Sequence, residues 1–454
     1  MVATREVTDV SVLPPAPRNP LPYRTQLRSL RAFHTGFETL RDAGGPVTRV
    51  VLGPRWLVPP LVVVTSPRGG HDMIGRTDAF VDKALIHREV RNVLGGNLFT
   101  LPHDEWLPRR RTVQHVFTKQ HVREFGGHMA QAAQNSCDGW ADGAVIDLDR
   151  QCRLLTLRAL GRSVLGIDLD QRSDAIAGPL QVTLSYSADR ALRPVRAPRW
   201  LPTPARRRAR RASRTLHRLA REILEECRRD PDRDAPLVRA LMNATDPDTG
   251  KPLPDAAICD ELIVFMLAGH DTTATTLTYA LWQLGRHRVV QDRLRAEVAA
   301  LGHPDPTPED VPRLTYTVQV LHEALRLCPP GAVISRTAVR DIEIDGYRVE
   351  AGSVLGFGVW AVQRDPALWP DPLRFDPDRF APGRAKARDR WQYLPFGAGP
   401  RSCIGDHFAM LEATLALATI VGRCQIGSLG DDFPFTVPFT TVAGGPVPAM
   451  VLKR

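Results

Sequence analysis

The stretch Phe396-Gly397-Ala398-Gly399-Pro400-Arg401-Ser402-Cys403-Ile404-Gly405 decides how this chain is read. Two glycines in a tight loop permit backbone conformations and close approaches that a side chain would block. Apolar residues at helical spacing resume at about Asp406 and run to Gly422, so the loop delivers Cys403 to the start of a helix. Amides there, and the helix dipole, stabilise negative charge on sulfur. A thiolate so placed is a ligand for iron, tuned by the amide donors around it. A glycine turn beside an ordinary core cysteine is the plainer alternative, and a pattern this long argues against it.

The other cysteines (Cys137, Cys152, Cys227, Cys259, Cys328 and Cys424) are scattered, and no CxxC pair occurs. They read as small core residues in a reducing compartment.

Upstream, Pro254 to Gly285 predicts a long, central, buried helix through the apolar segment Leu262 to Ala268. It carries Ala268-Gly269-His270-Asp271-Thr272-Thr273. Asp and Thr are poor helix formers and costly to bury, and Gly269 removes a side chain where something bulky could approach. A threonine that bonds back to the carbonyl four residues earlier loosens the helix. The result is a polar notch in an apolar helix, where oxygen could sit. A third feature is Glu323-Ala324-Leu325-Arg326, in which Glu323 and Arg326 share one helix face and can pair. His322-Glu323 would open a zinc-protease motif, but Arg326 stands where the second histidine is needed.

Helices dominate the rest. Arg24 to Ala43 reads as one helix ended by Gly44-Gly45, and Val47 to Leu52 and Leu61 to Thr65 as two strands of a small sheet. Asp104 begins a helix with a basic face (Arg109, Arg110, Arg111), in which Pro108 fits only in the first turn. Several helices fill 125–245, among them one whose Arg206 to Arg211 run reads as a solvated face. Val289 to Leu301 and Leu314 to Leu327 are further helices; Pro329-Pro330 stops the last, and short strands follow to Leu355. Pro366 to Phe380 is too rich in proline to be regular.

The chain has 454 residues and no low-complexity linker, so one large unit over 1–454 is expected, with 1–20 extended or flexible. No run approaches the roughly 20 apolar residues that span a bilayer, and Met1 to Pro20 lacks the apolar core of a secretion signal. A cytoplasmic protein with no membrane span is expected. The net charge of +10 comes almost wholly from arginine and favours acidic partners. The basic residues are dispersed and no binding motif accompanies them, which argues against nucleic acid.

The cysteine loop, the Glu323–Arg326 pair and the polar notch together resemble the cytochrome P450 haem-thiolate monooxygenases of the soluble bacterial type, in that family's order along the chain. The resemblance implies a mainly α fold with a small β-rich region, and haem b held between the long central helix and the helix after the cysteine loop. It makes Cys403 the axial iron ligand, and Asp271 and Thr272 the acid–alcohol pair that delivers protons to dioxygen. Glu323, Arg326 and Arg379 become a buried network bracing the cysteine loop. Trp106, Arg110, Arg336 and Arg401 match propionate-binding positions, Phe396 matches an aromatic residue near the sulfur, and Ala268 and Gly269 match the helix wall over the haem. The residue after Trp106 is Leu107, where the family is often basic.

The expected activity is insertion of one atom of dioxygen into an apolar small molecule. No phosphate-binding glycine fingerprint or flavin domain occurs, so electrons should come from a separate ferredoxin or flavodoxin-type donor with its reductase. A monomer is expected. Rival readings are a peroxide-dependent or isomerising enzyme on the same scaffold, against which Asp271 and Thr272 argue, and a haem-based sensor, for which no signalling domain is present. Expected pocket walls are Phe80 to Leu94, Phe265 to Ala268, Ala332 to Ile334 and Phe439 to Val442.

Overall fold

The computed structural model describes residues 9–75, 81–193, 196–245 and 250–454. It is mainly helical with small sheets, as expected. The long helix runs Asp255–Arg286, 32 residues and so about 48 Å. Nearly every residue from Ile258 to Leu284 is buried, because this helix packs on several others, including Leu148–Leu160, Pro204–Arg229 and Asp406–Arg423. Its apolar residues surround the axis rather than forming a stripe, the pattern of a core helix.

The largest sheet has five strands in the order Val47–Val50, Leu61–Val64, Val354–Phe357, Ile334–Ala338, Val81–Lys83. The pairing of Leu61–Val64 with Val354–Phe357 is parallel and the others are antiparallel. Lys83 lies opposite Arg336, which brings two cations to one edge of the sheet. A second sheet joins Val145–Asp147, Pro448–Lys453 and Cys424–Ser428.

Three sequence expectations need correction. The first helical stretch is two helices, Tyr23–Arg31 and Phe33–Gly44, which meet at Ala32 in a non-helical conformation. Closeness explains the break: a Cβ on Gly36 would lie 1.7 Å from the Ser29 carbonyl oxygen, so the two segments fold tightly on one another. Pro108 sits inside the helix His103–Val113, past its first turn, and the helix continues despite the amide that proline lacks. The arginine run is not wholly solvated. Arg206 is buried, and its guanidinium donates to the Pro198, Leu201 and Ala197 carbonyls and to the Tyr186 hydroxyl. Arg207, Arg208, Arg210 and Arg211 are exposed.

Of the first twenty residues, those from 9 onward are described. Pro15 bridges to Arg348, and Arg18 to Arg49. No helix among the described residues is long and apolar enough to cross a membrane.

Candidate active site

The loop before the last long helix takes its shape from two glycines. Gly397 and Gly399 have φ of +67° and +69°, the left-handed region that favours glycine. A Cβ on Gly399 would lie 2.0 Å from the Ile74 carbonyl oxygen, so any side chain there would push the loop off the helical turn His71–Gly75. The Cys403 amide donates to the Phe396 carbonyl at 2.9 Å and closes the loop. Helix Asp406–Arg423 follows at once, with Gly405 as its cap.

Cys403 stands apart from the six other cysteines. They are buried, whereas Cys403 is exposed, and what it is exposed to is an internal cavity of about 560 Å³. Burial pushes its thiol up to about 11, opposed by the Gly405 amide and by Arg110. A thiolate there needs a cation inside the cavity to hold it. Among the described residues, no group of three or more His, Cys, Asp or Glu side chains could hold a metal ion. A metal at Cys403 must therefore bring its remaining ligands with it.

The opposite wall is the long helix. Ala268 is exposed in the midst of buried neighbours, and it borders the cavity with Gly269, Thr272 and Thr276. Ala268 and Thr272, one turn apart, share a face. The Thr272 hydroxyl donates to the Ala268 carbonyl at 2.7 Å, the back-bonding expected of the notch. Gly269 serves a second purpose: a Cβ there would lie 2.7 Å from Leu160 Cδ1, so its missing side chain also lets helix Leu148–Leu160 approach.

Asp271 points away from the cavity. One of its oxygens pairs with the Arg153 guanidinium, and the other accepts from the Thr440 hydroxyl at 2.7 Å. Arg153 also pairs with Asp149 at 2.7 Å. Both of its carboxylate oxygens are therefore held. Sequence spacing gave no sign of Arg153 or Thr440, which lie 118 and 169 positions away. His270 is buried, with Nδ1 unpaired, and burial pushes its imidazole down to about 4. It does not border the cavity.

Cations gather at one rim. Arg336 and Arg401 both line the cavity. Arg401 stacks over Trp106 at 4.3 Å and donates to the Leu101 carbonyl. Trp106 is buried behind it and does not border the cavity. Arg110 does not border it either; its guanidinium donates to the Ser402 carbonyl at 2.9 Å, beside the cysteine. Phe396 does line the cavity.

Glu323 and Arg326 are fully buried and joined by two bonds of 2.7 and 2.8 Å. Arg379 approaches Glu323 at 3.4 Å and donates to the Pro370 and Asp371 carbonyls. A residue absent from the sequence reading, Gln363, ties this network to the cysteine loop. Its carbonyl accepts from Arg326, its amide donates to the Leu325 and Arg326 carbonyls, and its side-chain oxygen accepts from the Leu394 amide. The Leu394 carbonyl in turn accepts from Gly397.

A family model described as "Cytochrome P450" matches residues 14–451. The chain belongs to the cytochrome P450 family. It is 34% identical over 387 residues to cyclooctatin synthase of Streptomyces melanosporofaciens, covering 85% of this chain and 83% of that one. To cyclooctat-9-en-7-ol 5-monooxygenase of the same organism it is 33% identical over 347 residues, 76% of each chain. To pentalenene oxygenase of Streptomyces avermitilis it is 31% identical, covering 86% of each. Its fold matches the haem domain of a cytochrome P450DA mutant with TM-score 0.84, at 26% identity over 97% of this chain and 98% of that one.

As a P450 the protein is a monooxygenase that binds haem b, uses dioxygen and a redox partner, and acts on a hydrophobic substrate. The cavity fits such a group: one exposed sulfur on one wall, a helix face cleared of bulk on the other, and two arginines at the rim for its acidic side chains. The P450 pocket also reaches beyond the expected walls. Leu52, Val58 and Pro59 from the connection between the first two strands, and Leu192, Arg193 and Arg196 from a distant helix end, border it. Of the expected walls, Val81, Asp82, the helix from Arg88 to Leu94, Met266, Leu267, Thr441 and Val442 do not border it, and Phe80 lies outside the described residues.

Proposed function

We propose that this P450 hydroxylates a cyclic terpenoid with electrons from a ferredoxin or flavodoxin-type donor, acting as a cytoplasmic monomer. The observation that carries the reading is the cavity with Cys403 on one wall and Ala268 and Thr272 on the other. The substrate class is supported by the relatives, whose printed names include pentalenene oxygenase and cyclooctat-9-en-7-ol 5-monooxygenase, and by largely apolar walls such as Phe265, Ala332, Val333 and Phe439.

Cys403 would hold the haem iron, with the Gly405 amide and Arg110 tempering the charge on its sulfur. Haem supplies the activation of dioxygen, which a thiolate ligand favours by donating electron density. Arg336 and Arg401 would hold the propionates, with Trp106 fixing Arg401 by stacking on it. Phe396 would shield the sulfur, and Ala268 and Gly269 would leave room for the haem. The Thr272 hydroxyl donates its hydrogen bond to the Ala268 carbonyl, so its oxygen is left to accept one from a water in the notch. Asp271 passes protons inward once it exchanges one of its two partners. Glu323, Arg326 and Arg379 brace the cysteine loop through Gln363.

The reading is tested by titrating the ferric holoprotein with cyclic terpenes and with fatty acids, steroids and polyketides of similar size. Displacement of iron-bound water, seen as a spin-state change, is expected with cyclic terpenes at the lowest concentrations. A response confined to one of the other classes refutes the substrate assignment.

A further inference from the structure

The cavity wall carries charge of one sign. Among the described residues it is bordered by Lys83, Arg193, Arg196, Arg336 and Arg401, and by no Asp or Glu. These cations form two groups. Lys83 and Arg336 lie opposite one another at the sheet edge, and with Arg401 they act together on His87. Arg193 and Arg196 follow the end of helix Ser173–Leu192, and the charged side chains around Arg196 are a different set: Glu89, Arg190, Arg88 and Arg199. The first group matches the two propionates of haem, which leaves the second to be accounted for.

Within the second group one cation is left over. Arg193 pairs with Asp189 at 2.9 Å. Glu89, a buried carboxylate, is shared between Arg190 at 2.9 Å and Arg199 at 3.7 Å. Arg196 makes no hydrogen bond or ion pair with a described residue, and its Nε is covered by protein. Burial pulls its guanidinium down and Glu89 opposes this, while Arg190, Arg88 and Arg199 crowd it with like charge. An arginine stays charged all the same, and a half-buried charge without a partner is costly. Its two terminal nitrogens are not covered as Nε is. Side by side, they match the two oxygens of a carboxylate.

We propose that Arg196 determines specificity by binding a carboxylate carried by the substrate, so that this P450 selects a cyclic terpenoid acid over the neutral compound of the same skeleton. The assignment rests on the terpenoid reading above. One unmatched cation balances a single negative charge. A diphosphate brings more charge than that, and the arginines beside Arg196 already meet Asp189 and Glu89. Ala188, Ala191 and Leu192, which border the cavity next to the two arginines, give the apolar body of the acid a surface to lie on.

The test uses ferric holoprotein, a cyclic terpenoid carboxylic acid and its methyl ester, with affinity read from the spin-state change. Wild type should bind the acid about tenfold or more tightly than the ester, the size of a hydrogen bond to a charged group. Arg196→Gln should bring that ratio to within about twofold of one, and Arg196→Lys should keep part of it, because the charge stays and the planar fork is lost. The same ratio in Arg196→Gln, or no preference in wild type, overturns the proposal. So does a shift in haem reduction potential in Arg196→Gln, which would place Arg196 on a propionate. A fatty acid and its methyl ester separate this failure from that of the terpenoid reading. If they alone move the spectrum, and Arg196→Gln removes the preference for the acid, the terpenoid reading fails and the carboxylate site stands; if they alone move it with no such preference, both fail.

Discussion

Arg326→Met should destabilise the protein by about 3–5 kcal/mol, the cost of stranding one partner of a buried ion pair. The structure sets this figure. Arg326 and Glu323 are both fully buried, and the guanidinium also donates to the carbonyls of Gln363, Pro372 and Arg374. Methionine fills much of the volume and satisfies none of these groups. Replacing both members of a buried pair by apolar residues is often nearly neutral, but it should not be so here. Arg326→Met with Glu323→Leu also strands those carbonyls and the Asp376 amide that donates to Glu323 at 2.9 Å, each costing about 1–3 kcal/mol. The penalty in Arg326→Met should also rise with pH. Burial already raises the Glu323 carboxyl even with Arg326 present, and losing the arginine raises it further. The folded variant then keeps a proton that the unfolded chain releases above about pH 4.5, so stability falls as pH climbs through that window. The assay is urea unfolding of the holoprotein at several pH values, with haem retention followed in parallel. A single variant within about 1 kcal/mol of wild type, well short of the buried-pair cost, would refute the reasoning.

Thr272→Ala should bind haem and substrate almost normally and still consume oxygen, but release much more hydrogen peroxide per product; Asp271→Asn should slow the whole cycle. Counting product, peroxide and oxygen together checks both, and unchanged coupling in Thr272→Ala removes its assigned role. Arg111→Glu should slow reduction by an acidic donor and flatten its salt dependence, because exposed charges are screened over about 8 Å at physiological ionic strength; stopped-flow reduction across salt concentrations measures it. His322, packed against Phe380 and Tyr393, is pushed down to about 4 by burial. Its folded pKa lies below the unfolded one, so stability is full above about pH 6.5 and falls as pH drops toward 4. His322→Phe should weaken that acid dependence by up to about 3 kcal/mol, read from thermal or urea scans between those pH values.

What the sequence revealed was what repeats locally. The glycine loop, the notch and the i, i+3 pair each need only a few consecutive residues, and all three appear where spacing put them. The long helix was legible because its apolar run is unbroken for many turns. What escaped was set by contacts between distant segments. Nothing near Asp271 in sequence predicts Arg153 or Thr440, which hold both of its oxygens. In sequence Arg109 belongs to one basic face with Arg111, yet it pairs at 3.0 Å with the fully buried Glu261 and is mostly covered. Only Arg111 of the two is exposed. Gln363 carries no motif at all; its importance comes from three hydrogen-bonding groups facing two segments at once. The first helix read as one because periodicity continues across Ala32, and only the close approach at Gly36 reveals the corner.

The central claim is that Cys403 is the iron ligand, and the most direct measurement is the absorption spectrum of the reduced, carbon-monoxide-bound Cys403→Ala protein after haem uptake. With thiolate ligation lost, the red-shifted band that marks a haem-thiolate complex in wild type should be absent, while the fold, checked by circular dichroism, persists. The same band at full intensity in the variant would contradict the account and place the ligand elsewhere.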